Sequence, residues 1–275
     1  MPKSAPAEVV LTVLAGGGPL PSLLAEGARE RGWAVNLVVF AGQPQPHPLP
    51  EALVKEFGLA QIGHIVAHLK ATGTTHVALA GHVNKPNILS LKPDATGLKI
   101  LTRALMRHDD ALLRSVTTFL EEEGFTLVGV ADLAPHVLAP EGLLSKGKPT
   151  EADRADMALG RTTLAVLGDL DIGQACIVQG GVVLGLEAAE GTDELIRRCA
   201  AYRAPGQRGG WLVKRAKILQ TELADLPMVG PQTVNMLIEH GYRGLAIQAG
   251  KTLMVQRGEC VVRANKHGLL VVADA

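Results

Sequence analysis

The chain has 275 residues, 47% of them hydrophobic and 20% charged, which excludes a disordered chain and allows one large or two smaller domains with real cores. Lysine plus arginine and aspartate plus glutamate balance at 27 each, and 3% of residues are aromatic, so neither a basic field nor stacking platforms favour nucleic acid. Three cysteines (Cys176, Cys199, Cys260), far apart and without a CxxC pair, suit a reducing cytoplasm rather than a disulfide framework.

Residues 8–14 are β-branched and apolar and predict a strand, with Gly16, Gly17 and Gly18 directly after it. Residues 22–31 read as a helix with Leu23, Leu24 and Ala28 on one face. Strand, glycine turn and helix together are how an α/β sheet sets backbone N–H groups beside a phosphate. A second strand, 34–40, ends in Ala41-Gly42-Gln43, with no acid to hold a ribose hydroxyl, which counts against a nicotinamide dinucleotide. A proline-rich loop (Pro44, Pro46, Pro48, Pro50) then breaks the pattern, before a helix over 61–71 and a buried strand over 76–80. His64 and His68 in that helix share a face at i, i+4, but no glutamate lies between them, so they read as a surface or half-buried pair rather than a zinc site.

The stretch after residue 80, Gly81-His82-Val83-Asn84-Lys85-Pro86, lies at a strand end, where α/β sheets bind ligands, and the loop continues over 92–99. Asp109 and Asp110 precede a helical stripe over 111–123, and an N-cap role accounts for at least one of them. Residues 125–130 complete a first α/β unit. Pro135, Pro140, Pro149, Gly142 and Gly147 mark a boundary within 132–150, giving domains of 1–140 and 141–275.

A helix over 151–167 leads into the stretch 170–193, around which the second half is organised. It opens with Asp171-Ile172-Gly173-Gln174, runs through a strand, turns at Gly180-Gly181, returns as a second strand, and closes on Glu187, Glu190, Thr192 and Asp193. Both strands are short and apolar, so the hairpin is expected in a core, with Thr192 or Asp193 capping the following helix. Carboxylates and amides beside glycine-freed backbone also suit a polar ligand. Further on, Lys214-Arg215-Ala216-Lys217 ends a strand over 211–214, and Asp225-Leu226-Pro227 follows. Such cations can hold a phosphate beside an activated water, or they can form a solvated charged loop. The close is a helix (232–239), two strands (245–248, 252–255), a helix (258–266) and a strand (269–272). The expected fold is α/β in two domains, the first Rossmann-like, the second a mixed α/β sheet domain.

AGGGPLP, AGHVNKP, LKPDATGLK, DDALLR, LDIGQ, EGTDE and DLPMVGP occur in this order, and nearly the whole chain resembles the LpxI family of bacterial UDP-2,3-diacylglucosamine pyrophosphatases of lipid A synthesis. The resemblance implies lipid and sugar phosphate bound between two α/β domains. It also implies Mg²⁺-aided hydrolysis of UDP-2,3-diacylglucosamine to UMP and 2,3-diacylglucosamine 1-phosphate. On the matching positions, the catalytic candidates are Asp225, Lys214 and Lys217. Substrate contacts are expected from Gly16, Gly17, Gly18, His82, Lys85, Lys99, Asp110, Ile172, Gly173, Gln174, Thr192 and Gln220, and Mg²⁺ from Asp171, Glu190 and Asp193. For the last three, capping and hairpin-end hydrogen bonding is the competing role. The chain departs from the family at Leu223, where an arginine is usual, at His82 and at His108.

The opening apolar run is too short, and its flank too weakly basic, for a signal peptide to be expected, and no stretch approaches the roughly 18 apolar residues of a spanning helix. A cytoplasmic protein is expected, with peripheral contact to the inner membrane and a homodimer as the assemblies considered. The alternatives are a nicotinamide-dependent oxidoreductase and a non-catalytic nucleotide- or lipid-binding regulator.

Overall fold

The computed structural model describes residues 9–47, 52–84, 91–104, 109–168, 172–202, 209–216 and 226–275, with backbone alone at 103–104 and 109–112. The described residues through Pro135 form one compact unit, and those from His136 onward form another.

The first unit runs β1 (Val10–Ala15), α1 (Leu20–Glu30), β2 (Ala34–Phe40), β3 (Leu53–Phe57), α2 (Ile62–Ala71), β4 (His76–Ala80), α3 (Ala95–Ala104), α4 (Asp109–Glu122), β5 (Thr126–Leu127) and α5 (Val130–Leu133). Its five strands are all parallel, in the order β3-β2-β1-β4-β5, that of a doubly wound sheet. Central strands of such sheets are covered on both faces and so read as continuous apolar runs, which is why β1, β2 and β4 are legible in the sequence. Leu14, Val38, Phe40 and Val77 form a core with Ile65, Val66 and Leu69 of α2 and Leu120 of α4. Gly27 lets α1 meet α5, since a Cβ there would lie 1.8 Å from Leu133 O.

Three expectations for this unit need correction. The segment after the proline-rich loop contains β3, an exposed edge strand whose LVKEF sequence lacks the apolar face used for recognition. The stretch 92–99 is not all loop, because α3 begins at Ala95. Asp94 caps it, with Oδ1 accepting from Gly97 N–H (2.7 Å) and Oδ2 from His64 N–H in the first turn of α2 (2.9 Å). Asp109 and Asp110 lie within α4 rather than ahead of it.

The second unit contains β6 (Gly142–Leu143), α6 (Glu151–Gly168), β7 (Ala175–Gln179), β8 (Val182–Leu186), α7 (Thr192–Cys199), β9 (Trp211–Lys214), β10 (Met228–Val229), α8 (Pro231–Glu239), β11 (Gly244–Gln248), β12 (Leu253–Met254), α9 (Arg257–His267) and β13 (Leu270–Asp274). A mixed six-stranded sheet has the order β6-β13-β11-β9-β7-β8, and β10 with β12 makes a small parallel pair. The strands β9, β11 and β13 are parallel, whereas β7 runs antiparallel to β9 and β8. Side chains alternate across β9. Trp211 and Val213 pack with Met157 and Leu164 of α6, while Leu212 joins Leu195 and Ile196 of α7 and Val234 and Leu237 of α8.

The hairpin forms as predicted around Gly180 (φ 60°) and Gly181 (φ 77°), whose N–H groups donate to Asp156 Oδ2 (2.9 Å) and Oδ1 (2.7 Å). Its placement wholly in a core is corrected, because only β7 is buried. Strand β8 forms the sheet edge, with Val182 57% exposed. Asp153 anchors the start of α6, accepting from Thr150 N–H and hydroxyl and, through Oδ1, from the Trp211 indole at 2.9 Å.

Candidate functional site

Each unit gathers polar groups at the C-terminal ends of its parallel strands. In the first unit, β1 and β4 are neighbours whose following connections diverge, the position at which open α/β sheets bind ligands. The glycine loop after β1 is bound to the loop after β4. Gly16 N–H donates to Ala80 O (2.8 Å), Gly17 N–H to His82 O (2.8 Å), and His82 N–H to Gly17 O (2.9 Å). Glycine is required for this approach, since a Cβ on Gly16 would lie 2.4 Å from His82 O.

The N–H groups of Gly16 and Gly17 are therefore spent on protein carbonyls rather than offered to a phosphate. Gly18, at φ 93°, turns the chain outward and accepts from His47 N–H (3.0 Å). The exposed His82 ring hydrogen-bonds Asn84 Oδ1 through Nε2 at 2.9 Å, and Asn84 N–H donates to Gln43 Oε1 at 2.8 Å. His82 and the glycine loop thus meet, with Gln43 and Asn84 as neighbours that the sequence reading did not single out. Lys99 is an exposed residue of α3, and the side chain of Asp110 and all of Lys85 lie outside the described residues. His64 sits beside Asp94 (Nδ1 to Oδ2, 3.6 Å) and His68 against Phe57 (ring centroids 5.4 Å), so the two histidines have separate partners.

In the second unit, four segments converge at the C-terminal end of β9. Alternation turns Lys214 towards the α7 face, and it is only 6% exposed, so for this residue the solvated-loop alternative is overturned. Lys214 Nζ donates to Thr192 Oγ1 at 2.9 Å, and Thr192 Oγ1 donates to Glu187 Oε1 at 2.5 Å. Glu187 Oε2 accepts from Gln174 N–H at 3.0 Å. Thr192, the first residue of α7, is therefore not its cap. The N-cap is Gly191 at φ 82°, and Asp193 is bound by Gln232 Nε2 (2.8 Å). Gly173 (φ 53°) packs so closely that a Cβ would lie 2.0 Å from Glu187 O, and Ile172 is 41% exposed beside it. Arg215, on the opposite face from Lys214, pairs with Asp274 Oδ1 at 3.3 Å, and Arg161 pairs with Oδ2 of the same carboxylate.

This arrangement places Gly173, Gln174, Thr192 and Lys214 together. Asp225, Lys217, Gln220 and Asp171 lie outside the described residues. Glu187, 6% exposed, is the member of the cluster that was not among the expected site residues. Its signal in the sequence is a carboxylate ending an apolar strand, five residues before Thr192.

Of the expected Mg²⁺ ligands, Glu190 Oε1 is engaged by Arg198 at Nη2 (2.8 Å) and Nε (3.2 Å), and Asp193 by Gln232. Hydrogen bonds from its own backbone N–H and from Arg198 hold the Glu190 carboxyl below its ordinary pKa. Among the described residues, no three histidine, cysteine or acidic side chains converge as a metal site requires. The described carboxylates therefore do not fit a Mg²⁺ site built from protein ligands alone.

Both units match family models along most of their length, the LpxI N-terminal domain over residues 10–137 and the LpxI C-terminal domain over residues 140–272. The chain is also 36% identical over 272 residues to the UDP-2,3-diacylglucosamine pyrophosphatase LpxI of Caulobacter vibrioides, covering 95% of this chain and 96% of that protein. With a doubly wound unit and a mixed-sheet unit matched in order over nearly its whole length, the chain belongs to the LpxI family.

Proposed function

We propose that the protein hydrolyses the pyrophosphate bond of UDP-2,3-diacylglucosamine, giving 2,3-diacylglucosamine 1-phosphate and UMP in lipid A biosynthesis. The observation that carries this reading is the buried Lys214 ammonium at the end of β9, hydrogen-bonded to Thr192 of the EGTD segment. Cleaving a diphosphate needs fixed positive charge beside the phosphoryl oxygens and a group that orients or deprotonates water. Lys214 supplies the first, with Thr192 and the loop of Gly173 and Gln174 beside it. Asp225 is the proposed base, Lys217 a second cation, and Gly18 and His82 substrate contacts in the first unit. Family membership and identity to the Caulobacter enzyme support the substrate assignment.

Mg²⁺ belongs to this reading as an ion accompanying the substrate's diphosphate, a mode in which one or two carboxylates suffice. Among the described residues, no helix is long and apolar enough to cross a membrane. Peripheral contact with the membrane that holds the acylated substrate, at its cytoplasmic face, is proposed from the chemistry of that substrate.

The test is turnover of UDP-2,3-diacylglucosamine by the wild type and by Asp225→Asn, which keeps the shape of the side chain and removes the base. Turnover of the variant should fall by roughly 10²–10⁴-fold while substrate still binds. Near-normal turnover in Asp225→Asn would end the assignment of the base, and an inactive wild type would end the assignment of the reaction.

A further inference from the structure

Glu187 is nearly fully buried, and its two carboxylate oxygens are divided between two segments. Oε1 accepts the Thr192 hydroxyl proton at 2.5 Å, and Oε2 accepts Gln174 N–H at 3.0 Å. Its backbone is fixed as well, because Glu187 N–H donates to Ala175 O (2.8 Å) and Gly173 abuts its carbonyl. An ionised carboxylate only accepts hydrogen bonds, so the Thr192 proton is committed to Glu187 and the Thr192 oxygen presents lone pairs to the Lys214 ammonium. The resulting row, Lys214 to Thr192 to Glu187, has one direction of donation.

We propose that Glu187 is a positioning residue, which acts through Thr192 to fix the orientation of the Lys214 ammonium towards the diphosphate. This rests on the reading of Lys214 as a diphosphate contact. A glutamine at 187 cannot satisfy both of its neighbours, because only one of its two terminal atoms accepts. If its amide oxygen faces Thr192, its NH₂ meets Gln174 N–H donor to donor. If it is flipped, its NH₂ donates to Thr192 and leaves the hydroxyl proton without its acceptor. The first orientation keeps the row but sets two donors against each other, so the flipped one is favoured. In it the Thr192 oxygen accepts from both the amide and the Lys214 ammonium, which keeps its charge but is no longer held in one direction.

The experiment is a double-mutant cycle of Glu187→Gln and Lys214→Met, read in kcat/KM for UDP-2,3-diacylglucosamine and in calorimetric binding of UDP. Lys214→Met should lower kcat/KM by about 10²–10³-fold, the scale of one lost electrostatic donor. Glu187→Gln should lower it by about 10–100-fold, and the double variant should fall within about twofold of Lys214→Met alone. Thr192→Val should match Glu187→Gln, and Thr192→Ser, which retains the hydroxyl, should stay within about threefold of wild type. A carboxylate that only holds the fold would lower thermal stability and multiply with Lys214→Met, and that multiplication overturns the proposal. If Glu187→Gln does not fold, Thr192→Val with Lys214→Met completes the cycle under the same criteria. Non-additive loss of UDP binding in a protein that does not turn over the lipid substrate would support Glu187 and refute the hydrolase reading. A wild type with neither turnover nor UDP binding would refute both.

Discussion

Substituting Gly16→Ala tests whether the glycine loop exists for close backbone contact. The new Cβ would lie 2.4 Å from His82 O, 2.8 Å from His82 C and 2.9 Å from Gly81 C, all backbone atoms that no side-chain rotation can move away. Restoring ordinary contact at 3.4 Å requires the two loops to part by about 1 Å. The bonds Gly17 N–H to His82 O (2.8 Å) and His82 N–H to Gly17 O (2.9 Å) do not survive that separation. Two hydrogen bonds at about 0.5–1.5 kcal/mol each, with residual strain, give a destabilisation of about 2–4 kcal/mol. The assay is denaturant unfolding followed by ¹⁹F NMR of fluorotryptophan, because the two tryptophans, Trp33 and Trp211, report one unit each. The Trp33 transition should move to lower denaturant. Gly258→Ala is the control. It lies in the first turn of α9 with open space around its Cβ position, so it should stabilise the Trp211 transition by about 0.4–1 kcal/mol. A Gly16→Ala protein within 0.5 kcal/mol of wild type, a margin about that of an inert surface substitution, would refute the close-approach account.

Exhaustive chelation should lower turnover, whereas Glu190→Gln should leave the Mg²⁺ dependence unchanged, since Arg198 already occupies the Glu190 carboxylate. A variant needing much higher Mg²⁺ for half-maximal rate would restore Glu190 as a ligand. Burial raises the Asp153 carboxyl, but hydrogen bonds from Thr150, the Trp211 indole and Arg243 outweigh this and hold it below its ordinary value. Its stabilising contribution is therefore complete above the unfolded aspartate value of about 3.9 and is lost as pH falls through the lower folded value. Asp153→Asn should flatten the acid limb of the Trp211 unfolding transition, and an unchanged limb would refute this role. Burial pushes the Cys176 thiol up to about 12 and that of Cys260 to about 11, and raises Cys199 too. All three are fully buried, so a thiol reagent at pH 8 should label none of them until the protein unfolds.

The α/β class, the central strands β1, β2 and β4, the Gly180-Gly181 turn and the long helix α6 are all legible from the residues alone. These are local properties. A strand covered on both faces must be continuously apolar, a tight hairpin turn needs positive φ, and a helix declares its period over several turns. Edge position escaped for the complementary reason. The exposed β3 carries Lys55 and Glu56, and the partly exposed β8 looks as apolar as its buried partner, so composition did not report position in the sheet. The roles of individual polar residues emerge from packing between distant segments. Lys214 and Arg215 are adjacent in a run of cations, yet strand alternation sends one into the Thr192–Glu187 row and the other to Asp274. Glu187 and Glu190 lie three residues apart in one acidic stretch, but one is buried beneath Gly173 and Gln174 and the other is held at the surface by Arg198. Burial and partner choice depend on which segments the sheet brings together, here because β7 runs antiparallel to β9 and returns Gln174 to the end where Lys214 emerges.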